Sequence, residues 1–203
     1  YMAAYNNLIN DGETNLMSIL KGMEQTAGRL VMFIDPRYDV PCLLTVKGGK
    51  GCRLDTLETY TEENSASPEV LARVVKEVQK RYPASSYGLV LWSHGLGWVP
   101  PEYSFPGGYA MRLPDPDMPR TKYYAEDEHP GTRGKAYMDI REMAARLPGH
   151  FSFILWDVCF MGGIEVAYEL RNKTDYMIAS PAEVISDGFP NEKMMPLLWG
   201  GEE

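Results

Sequence analysis

Short apolar runs alternate with amphipathic helical patterns along this chain, and that alternation most restricts how it can fold. Four runs are bounded by turn residues: "GRLVMFID" (28–35), "YGLVLWS" (87–93), "FSFILWDVC" (151–159) and "DYMIAS" (175–180). Runs of this length and composition are typical of buried strands. The opening "YMAAY" has the pattern of the last residues of a strand, so together with the four runs we predict five strands in all.

Helical patterns separate these strands. One pattern, "SPEVLARVVKEVQKRY", begins with Ser67 as a candidate N-cap and Pro68 at the first helical position. The other patterns cover Leu16 to Met23, 138–147 and 162–172. Strands that alternate with helices predict an α/β fold with a mostly parallel central sheet and helices on both of its faces.

The chain has 203 residues with 44% hydrophobic content, enough for one sizeable core, so we predict a single domain over residues 1–203. Residues 100–135 fit neither the strand nor the helix pattern, because they are rich in proline, glycine and charge. We predict a long exposed loop there, and loops of such length in compact domains are usually functional or disordered.

The charge balance limits the partners. There are 20 Lys and Arg residues against 28 Asp and Glu, a formal net charge of −8. Nucleic acids and anionic membranes attract basic surfaces, so we expect neither as a partner. No apolar run approaches the roughly 20 residues of a membrane span. A cationic substrate is compatible with this charge.

The chain contains three cysteines. Cys42 and Cys52 flank the glycine-rich "KGGKG", but a turn centred near Gly49 would place Cys42 opposite Thr56. We therefore predict two free thiols rather than a disulfide. Cys159 stands alone, and an unpaired cysteine is either a small buried hydrophobic residue or a reactive thiol.

His94 and Cys159 each lie at the carboxyl end of a predicted strand. In open parallel sheets ligands bind beyond these ends, and consecutive strands are often neighbours. A thiol and an imidazole so placed form a nucleophile with a proton donor. Gly95 would let a substrate carbonyl approach the backbone, where the Gly95 and Cys159 amides could stabilise an oxyanion.

Other interpretations exist for these residues. Taken singly, the histidine could be hydrogen-bonded in a loop and the cysteine could belong to the core. An α/β-hydrolase with a cysteine nucleophile would need small residues two before and two after it, where this chain has Asp157 and Met161. Such a triad would also need a histidine downstream of Cys159, and none follows. A non-catalytic binding domain is the remaining alternative, although such copies usually lose one of the two residues.

Several sequence blocks resemble the clostripain family of cysteine peptidases, within the caspase-like clan. They are "SHGLGW", "DVCFMGGIEVAYELRN" and "DYMIASPAEVISDGFP", with "AAYNNL" similar to the opening strand-to-helix turn of the family. One departure is Ala4-Tyr5, where the family commonly has Gly-Asp.

The resemblance implies a caspase-like three-layer αβα sandwich and a peptidase that cleaves after basic residues. The catalytic dyad of the family maps onto His94 and Cys159. Such catalysis needs no metal, and although some family members depend on calcium, the sequence shows no known calcium-loop spacing, so calcium stays unassigned.

The resemblance also implies that Asp157 and Asp187 bind the basic side chain of the substrate. Asp157 lies two residues before Cys159, on the same face of its strand. Its alternative role is a cap on the following helix, and Asp187 could be a simple Asp-Gly turn residue. We expect Asp157 to matter more.

Three further expectations depend on the resemblance. Family members are typically exported from bacteria, so we expect an extracytoplasmic protein. Caspase-like sheets usually have a sixth strand, so we expect the domain to be truncated at its first strand and at its C-terminus. We expect self-cleavage within the long loop after Arg120 or Lys122, rather than after Arg133 or Lys135.

Overall fold

The structure, a computed structural model, describes residues 1–98, 123–129, 131, 134–185 and 187–199. Over these residues the chain forms nine strands in two sheets. They are β1 (Met2–Ala4), β2 (Arg29–Pro36), β3 (Cys42–Lys47), β4 (Asp55–Thr59), β5 (Gly88–Trp92), β6 (Tyr123–Asp127), β7 (Ala136–Asp139), β8 (Phe151–Asp157) and β9 (Thr174–Ile178).

The larger sheet has seven strands in the order β4-β3-β2-β1-β5-β8-β9. Strand β1 is parallel to β2 and β5, and β8 is parallel to β5 and β9, whereas β3 runs antiparallel to both β2 and β4. The prediction of a mostly parallel central sheet is confirmed. The predicted number of five strands was wrong, because β3 and β4 extend the sheet at one edge.

The helices are α1 (Ile9–Met23), α2 (Pro68–Arg81), α3 (Ile140–Arg146), α4 (Ile164–Leu170) and α5 (Asn191–Met194), followed by a 3-10 helix (Met195–Trp199). The predicted start of α2 is confirmed, since the Ser67 side chain accepts hydrogen bonds from the backbone amides of Glu69 and Val70. This cap satisfies amides that have no partner within the helix. None of the described helices is both long and apolar enough to cross a membrane.

Alternate strand residues face opposite helical layers. Met2 and Ala4 pack in one cluster with Ile9 of α1, whereas Ala3 between them packs in another cluster with Leu71 of α2. The second cluster also includes the buried residues of α3 and α4. Helices therefore cover both faces of the sheet, and the predicted three-layer α/β arrangement is confirmed.

The smaller sheet, β6 with β7, lies partly inside the stretch that we predicted to be an exposed loop. All five residues of β6 are buried, including Glu126 and Asp127. Both carboxylates have partners: Glu126 pairs with Lys135, and Asp127 accepts hydrogen bonds from the backbone amide and hydroxyl of Ser65. Pairing allows these charges to be buried, so the expectation of a loop is corrected for 123–127. Residues 99–122 lie outside the described part of the chain.

All three cysteines are free, as predicted. The reason differs in detail, because the register between β3 and β4 shifts between Leu43 and Leu44. The pairing of Leu44 with Thr56 also centres the turn at residue 50 rather than 49, and the two effects together put Cys42 opposite Thr59 rather than Thr56. Cys52 lies beyond β3, in the connection between the two strands, where its thiol contacts the carbonyl of Leu20 at 3.5 Å.

Candidate active site

The ends of strands β5 and β8 bring His94 and Cys159 to one edge of the sheet. The two strands are parallel neighbours, and Trp92 at the end of β5 lies opposite Asp157 at the end of β8. Each candidate residue follows its strand by two positions. The predicted adjacency of the two strands is therefore what places the imidazole and the thiol together.

A cavity of about 340 Å³ opens at this edge. Its described lining residues are Leu8, Trp92, Ser93, His94, Asp157, Val158, Cys159, Glu183, Val184, Ile185 and Gly188. They come from the ends of β5 and β8 and from the segment after β9, with one residue from the turn after β1. Three of the five predicted site residues, His94, Cys159 and Asp157, share this cavity.

The Cys159 thiol is held by the backbone of Val184. The Sγ atom accepts a hydrogen bond from the Val184 amide at 3.3 Å and donates one to the Val184 carbonyl at 3.5 Å. Burial raises the pKa of the Cys159 thiol above its usual value. In this arrangement the thiol is protonated at neutral pH, because burial disfavours the thiolate.

The His94 ring contacts the turn after β1. Its Nε2 atom lies 2.6 Å from Oδ1 of Asn7. Burial, with a further contribution from the positive charge of Lys135, lowers the pKa of His94 to about 4. The ring is therefore neutral at pH 7, the form in which an imidazole can accept a proton.

Gly95 lies where the loop after β5 meets β6 and the loop after β8. It forms an isolated bridge with Tyr124, in which the flanking residues make the hydrogen bonds to β6, so its own amide points away from β6. A Cβ atom at Gly95 would lie 2.4 Å from Cγ1 of Val158. We predicted that this glycine gives room to a substrate carbonyl, and the structure adds that it lets the two loops pack closely.

Gly97 makes a second close contact between these loops. Its φ is +53°, and a Cβ atom there would lie 2.0 Å from the carbonyl oxygen of Phe160, the residue after Cys159. Phe160 itself has a φ of +61°. The backbone at the cysteine thus depends on the absence of a side chain in the histidine loop.

We expect Gly97→Ala to lower the free energy of unfolding by about 3 kcal/mol or more, because left-handed strain and a backbone clash add together. The matched control is Gly51→Ala, since Gly51 has a φ of +73° and an added Cβ there would meet no described neighbour within 4 Å. That control should lose only about 1–2 kcal/mol. Urea unfolding of both variants measures the difference, and equal losses would contradict the close contact.

Asp157 is 6% exposed and forms part of the cavity wall. Its Oδ1 accepts a hydrogen bond from the Phe189 amide at 3.1 Å, and burial raises the pKa of its carboxyl to about 6. The alternative role as a helix cap does not hold, because the N-cap of α4 is Gly163. The carboxylate instead belongs to the cavity that also holds the thiol.

Asp187 is exposed and is not among the described residues that line the cavity. It lies in a turn closed by a hydrogen bond from the Gly188 amide to the Ile185 carbonyl at 2.8 Å. This arrangement fits the Asp-Gly turn interpretation. A role for Asp187 in substrate binding stays a prediction.

Sequence reasoning did not assign two residues that contact the pair. Asn7 was visible only as the second of two asparagines shortly after β1, at the same edge of the sheet. Val184 acts through its backbone, for which the side chains give no signal. For metals, the described residues contain no group of three or more His, Cys, Asp or Glu side chains that could hold an ion.

The fold and the site together define a caspase-like α/β domain with a thiol and an imidazole at the sheet edge, the arrangement of a cysteine-type peptidase. The model of the clostripain family matches residues 1–198. The chain belongs to the clostripain family.

Solved and curated relatives agree with this assignment. A secreted C11 cysteine protease from Bacteroides thetaiotaomicron, in complex with an irreversible peptide inhibitor, has a TM-score of 0.79 and 32% identity. An inactive zymogen C11 protease from Parabacteroides distasonis has a TM-score of 0.76 and 36% identity. Clostripain of Hathewaya histolytica is 26% identical over 156 residues.

The chain corresponds to part of each relative. The first two comparisons cover 98% and 97% of this chain, but 52% and 51% of the respective relatives. The comparison with clostripain covers 73% of this chain and 27% of that protein.

Proposed function

We propose that the protein is a cysteine endopeptidase that cleaves peptide bonds after arginine or lysine, with Cys159 as nucleophile and His94 as proton acceptor and donor. One observation carries the proposal: the thiol, the imidazole and the buried carboxylate of Asp157 line a single cavity at the sheet edge. Family membership supports the same reaction class.

The proposed reaction begins when His94 takes the thiol proton and the sulfur attacks the scissile carbonyl carbon. The carbonyl π electrons move to oxygen, and the Gly95 and Cys159 amides stabilise this oxyanion. When the intermediate collapses, the C–N bond breaks and His94 gives its proton to the leaving amine. Water, deprotonated by His94, then hydrolyses the thioester and releases the thiol.

The contact with Val184 describes a resting state in this scheme. The thiol donates its hydrogen bond to the Val184 carbonyl. A rotation of the Cys159 side chain, or a movement of the segment around Val184, would let the thiol donate its proton to His94 instead. Both groups are neutral before that step, so no ion pair has to be broken.

Asp157 gives the proposed preference for a basic residue before the cut. A guanidinium or ammonium group entering the cavity would pair with its carboxylate, which the Phe189 amide already orients. The cation would also favour ionisation of a carboxyl whose pKa burial has raised to about 6. The net charge of −8 favours approach of such a substrate.

We propose an extracytoplasmic location and peptide or protein substrates, without nucleic acid as a partner. The location rests on the secreted Bacteroides thetaiotaomicron relative. The proposed mechanism uses only side chains and backbone amides, so no metal ion or other cofactor takes part in it. We assign no residues to calcium.

Steady-state kinetics on four matched peptide amides, with Arg, Lys, Leu or Asp before the cut, test the specificity. We expect kcat/KM for Arg and Lys to exceed that for Leu and Asp by about a hundredfold or more, because a buried charge pair discriminates by a few kcal/mol. A preference for Leu or Asp would contradict the role of Asp157.

We also propose that the protein cuts itself after Lys122 or Arg120, which lie outside the described residues, as does Arg133. Lys135 is described, and it forms salt bridges with Glu126 and Glu128, so its release into the cavity would break both. The inactive zymogen among the relatives is consistent with activation by cleavage.

Mass spectrometry of the purified protein beside Cys159→Ala measures this self-cleavage. We expect two fragments in the unmodified protein, with a new C-terminus at Lys122 or Arg120, and a single chain in the variant. An intact and fully active unmodified chain would rule out activation by cleavage.

A further inference from the structure

The turn after β1 is held rigidly by its first asparagine. Asn6 is fully buried, and its Nδ2 donates to the carbonyls of Ala3 and Glu126, each at 3.0 Å. Its Oδ1 accepts a hydrogen bond from the Leu8 amide at 2.9 Å, so the side chain of Asn6 closes a turn around Asn7. The position of Asn7 is thus fixed although its own side chain is exposed.

The residue before His94 is fixed to the same framework. The Ser93 hydroxyl donates to the Ala3 carbonyl at 2.7 Å and accepts from the Glu126 amide at 3.3 Å. Ser93 and Asn6 therefore tie the ends of β5 and β1 to β6. The next residue of each loop, His94 and Asn7, meets the other across the gap.

With the Asn7 amide oxygen facing the ring, as it does here, the contact between them selects one tautomer of the imidazole. An amide oxygen can only accept, so the Nε2 atom that lies 2.6 Å from Asn7 Oδ1 carries the ring proton. Nδ1 of the neutral ring then holds a lone pair. In the other tautomer the Nε2 lone pair would face the Asn7 oxygen, and Nδ1 could not accept a proton.

We propose that Asn7 is a positioning residue that holds His94 in the Nε2–H tautomer, with Nδ1 available for the proton of the Cys159 thiol. The catalytic consequence rests on the proposed function, whereas the tautomer itself does not. Asn7 is not among the described residues that line the cavity, and its contact there is with His94, through which we propose that it acts.

Nitrogen-15 NMR of the histidine rings tests the tautomer directly. In Cys159→Ala at pH 7 we expect His94 to show the Nε2–H pattern, with its signals assigned by their loss in His94→Gln. Adding Asn7→Ala should produce a mixture of the two tautomers. Adding Asn10→Ala instead, a change at an exposed position of α1, should leave the pattern as it was.

A second readout is kinetic. We expect Asn7→Ala to lower kcat by about tenfold to a hundredfold with little change in KM, the range found for neutral partners that orient a functional histidine. Asn7→Asp keeps an acceptor oxygen at the same place, so it should recover most of kcat. Its negative charge should also raise the pKa of His94, which the NMR titration measures.

The outcomes separate the two proposals. If Asn7→Ala leaves both the tautomer and kcat unchanged, the positioning role is overturned whatever reaction the protein catalyses. If Asn7→Asp fails to recover kcat while its fold and its tautomer are retained, the role is overturned as well. If His94→Ala keeps full activity, the proposed catalytic pair fails, while the ring signals still decide whether Asn7 fixes the tautomer.

Discussion

Replacing Cys159 by alanine is expected to lower kcat/KM on arginyl and lysyl amides by about four to six orders of magnitude. The reason is that nucleophile and proton acceptor act as a unit, so removal of one loses nearly all covalent catalysis. His94→Ala should cost a similar factor. Both effects are measured with the same short peptide amides, on protein whose circular dichroism matches that of the unmodified chain.

The chain offers two matched controls for this experiment. Cys42 and Cys52 are also free thiols, and neither lines the cavity at the sheet edge. Replacing either by alanine should leave kcat/KM within about threefold, as expected for residues outside the site. Substantial activity in Cys159→Ala, or a comparable loss in Cys42→Ala, would contradict the assignment of the nucleophile.

Asp157→Asn is expected to produce the second largest effect, and only on basic substrates. The change removes the charge but keeps an oxygen that can accept the Phe189 amide, so the local fold should persist. Loss of one partner of a buried charge pair costs about 2–5 kcal/mol, which is about thirtyfold to several thousandfold in kcat/KM. A leucyl substrate should lose much less, and equal losses on both substrates would indicate a structural role instead.

The control for that variant is Asp187→Asn. Asp187 is exposed in its turn and does not line the cavity, so we expect a smaller loss on arginyl substrates than for Asp157→Asn. The same kinetic panel measures both variants. A larger loss in Asp187→Asn would reverse the ranking of the two carboxylates.

The raised pKa of Asp157 also predicts a pH dependence. Only the ionised carboxylate attracts a cation, and burial raises the pKa of this group to about 6. The value of kcat/KM on arginyl substrates should therefore fall as the pH drops through about 6. This fall comes before protonation of His94, whose pKa is lowered to about 4. In Asp157→Asn the decline of kcat/KM at low pH should move toward pH 4. A decline that stays near pH 6 in this variant would show that a group other than Asp157 causes it.

Much of the fold was predictable because the buried parallel strands are continuous apolar runs. Strand β4 was not, since it lies at the sheet edge and none of its five residues is fully buried. It therefore has no apolar pattern to detect. Strand β6 was missed for the opposite reason, because its buried charges are satisfied by partners distant in sequence, such as Ser65 for Asp127.

In the site, too, one part was predictable from the sequence and another part was not. The location of His94 and Cys159 at one sheet edge was predictable, because parallel strands deliver the residues that follow them to the same edge. The partners of each group were not predictable. Asn7 reaches His94 across 87 residues of sequence, and Val184 contacts Cys159 through backbone atoms that any residue would supply.

Peptide mapping after reaction with a thiol-reactive peptide that ends in an arginyl warhead tests the central claim most directly. The probe should be applied before and after self-cleavage, beside His94→Ala and beside a leucyl version of the probe. We predict one adduct, at Cys159, formed much faster with the arginyl probe than with the leucyl probe and strongly slowed in His94→Ala. Labelling confined to Cys42 or Cys52, or no labelling of the folded protein before or after cleavage, would contradict the account.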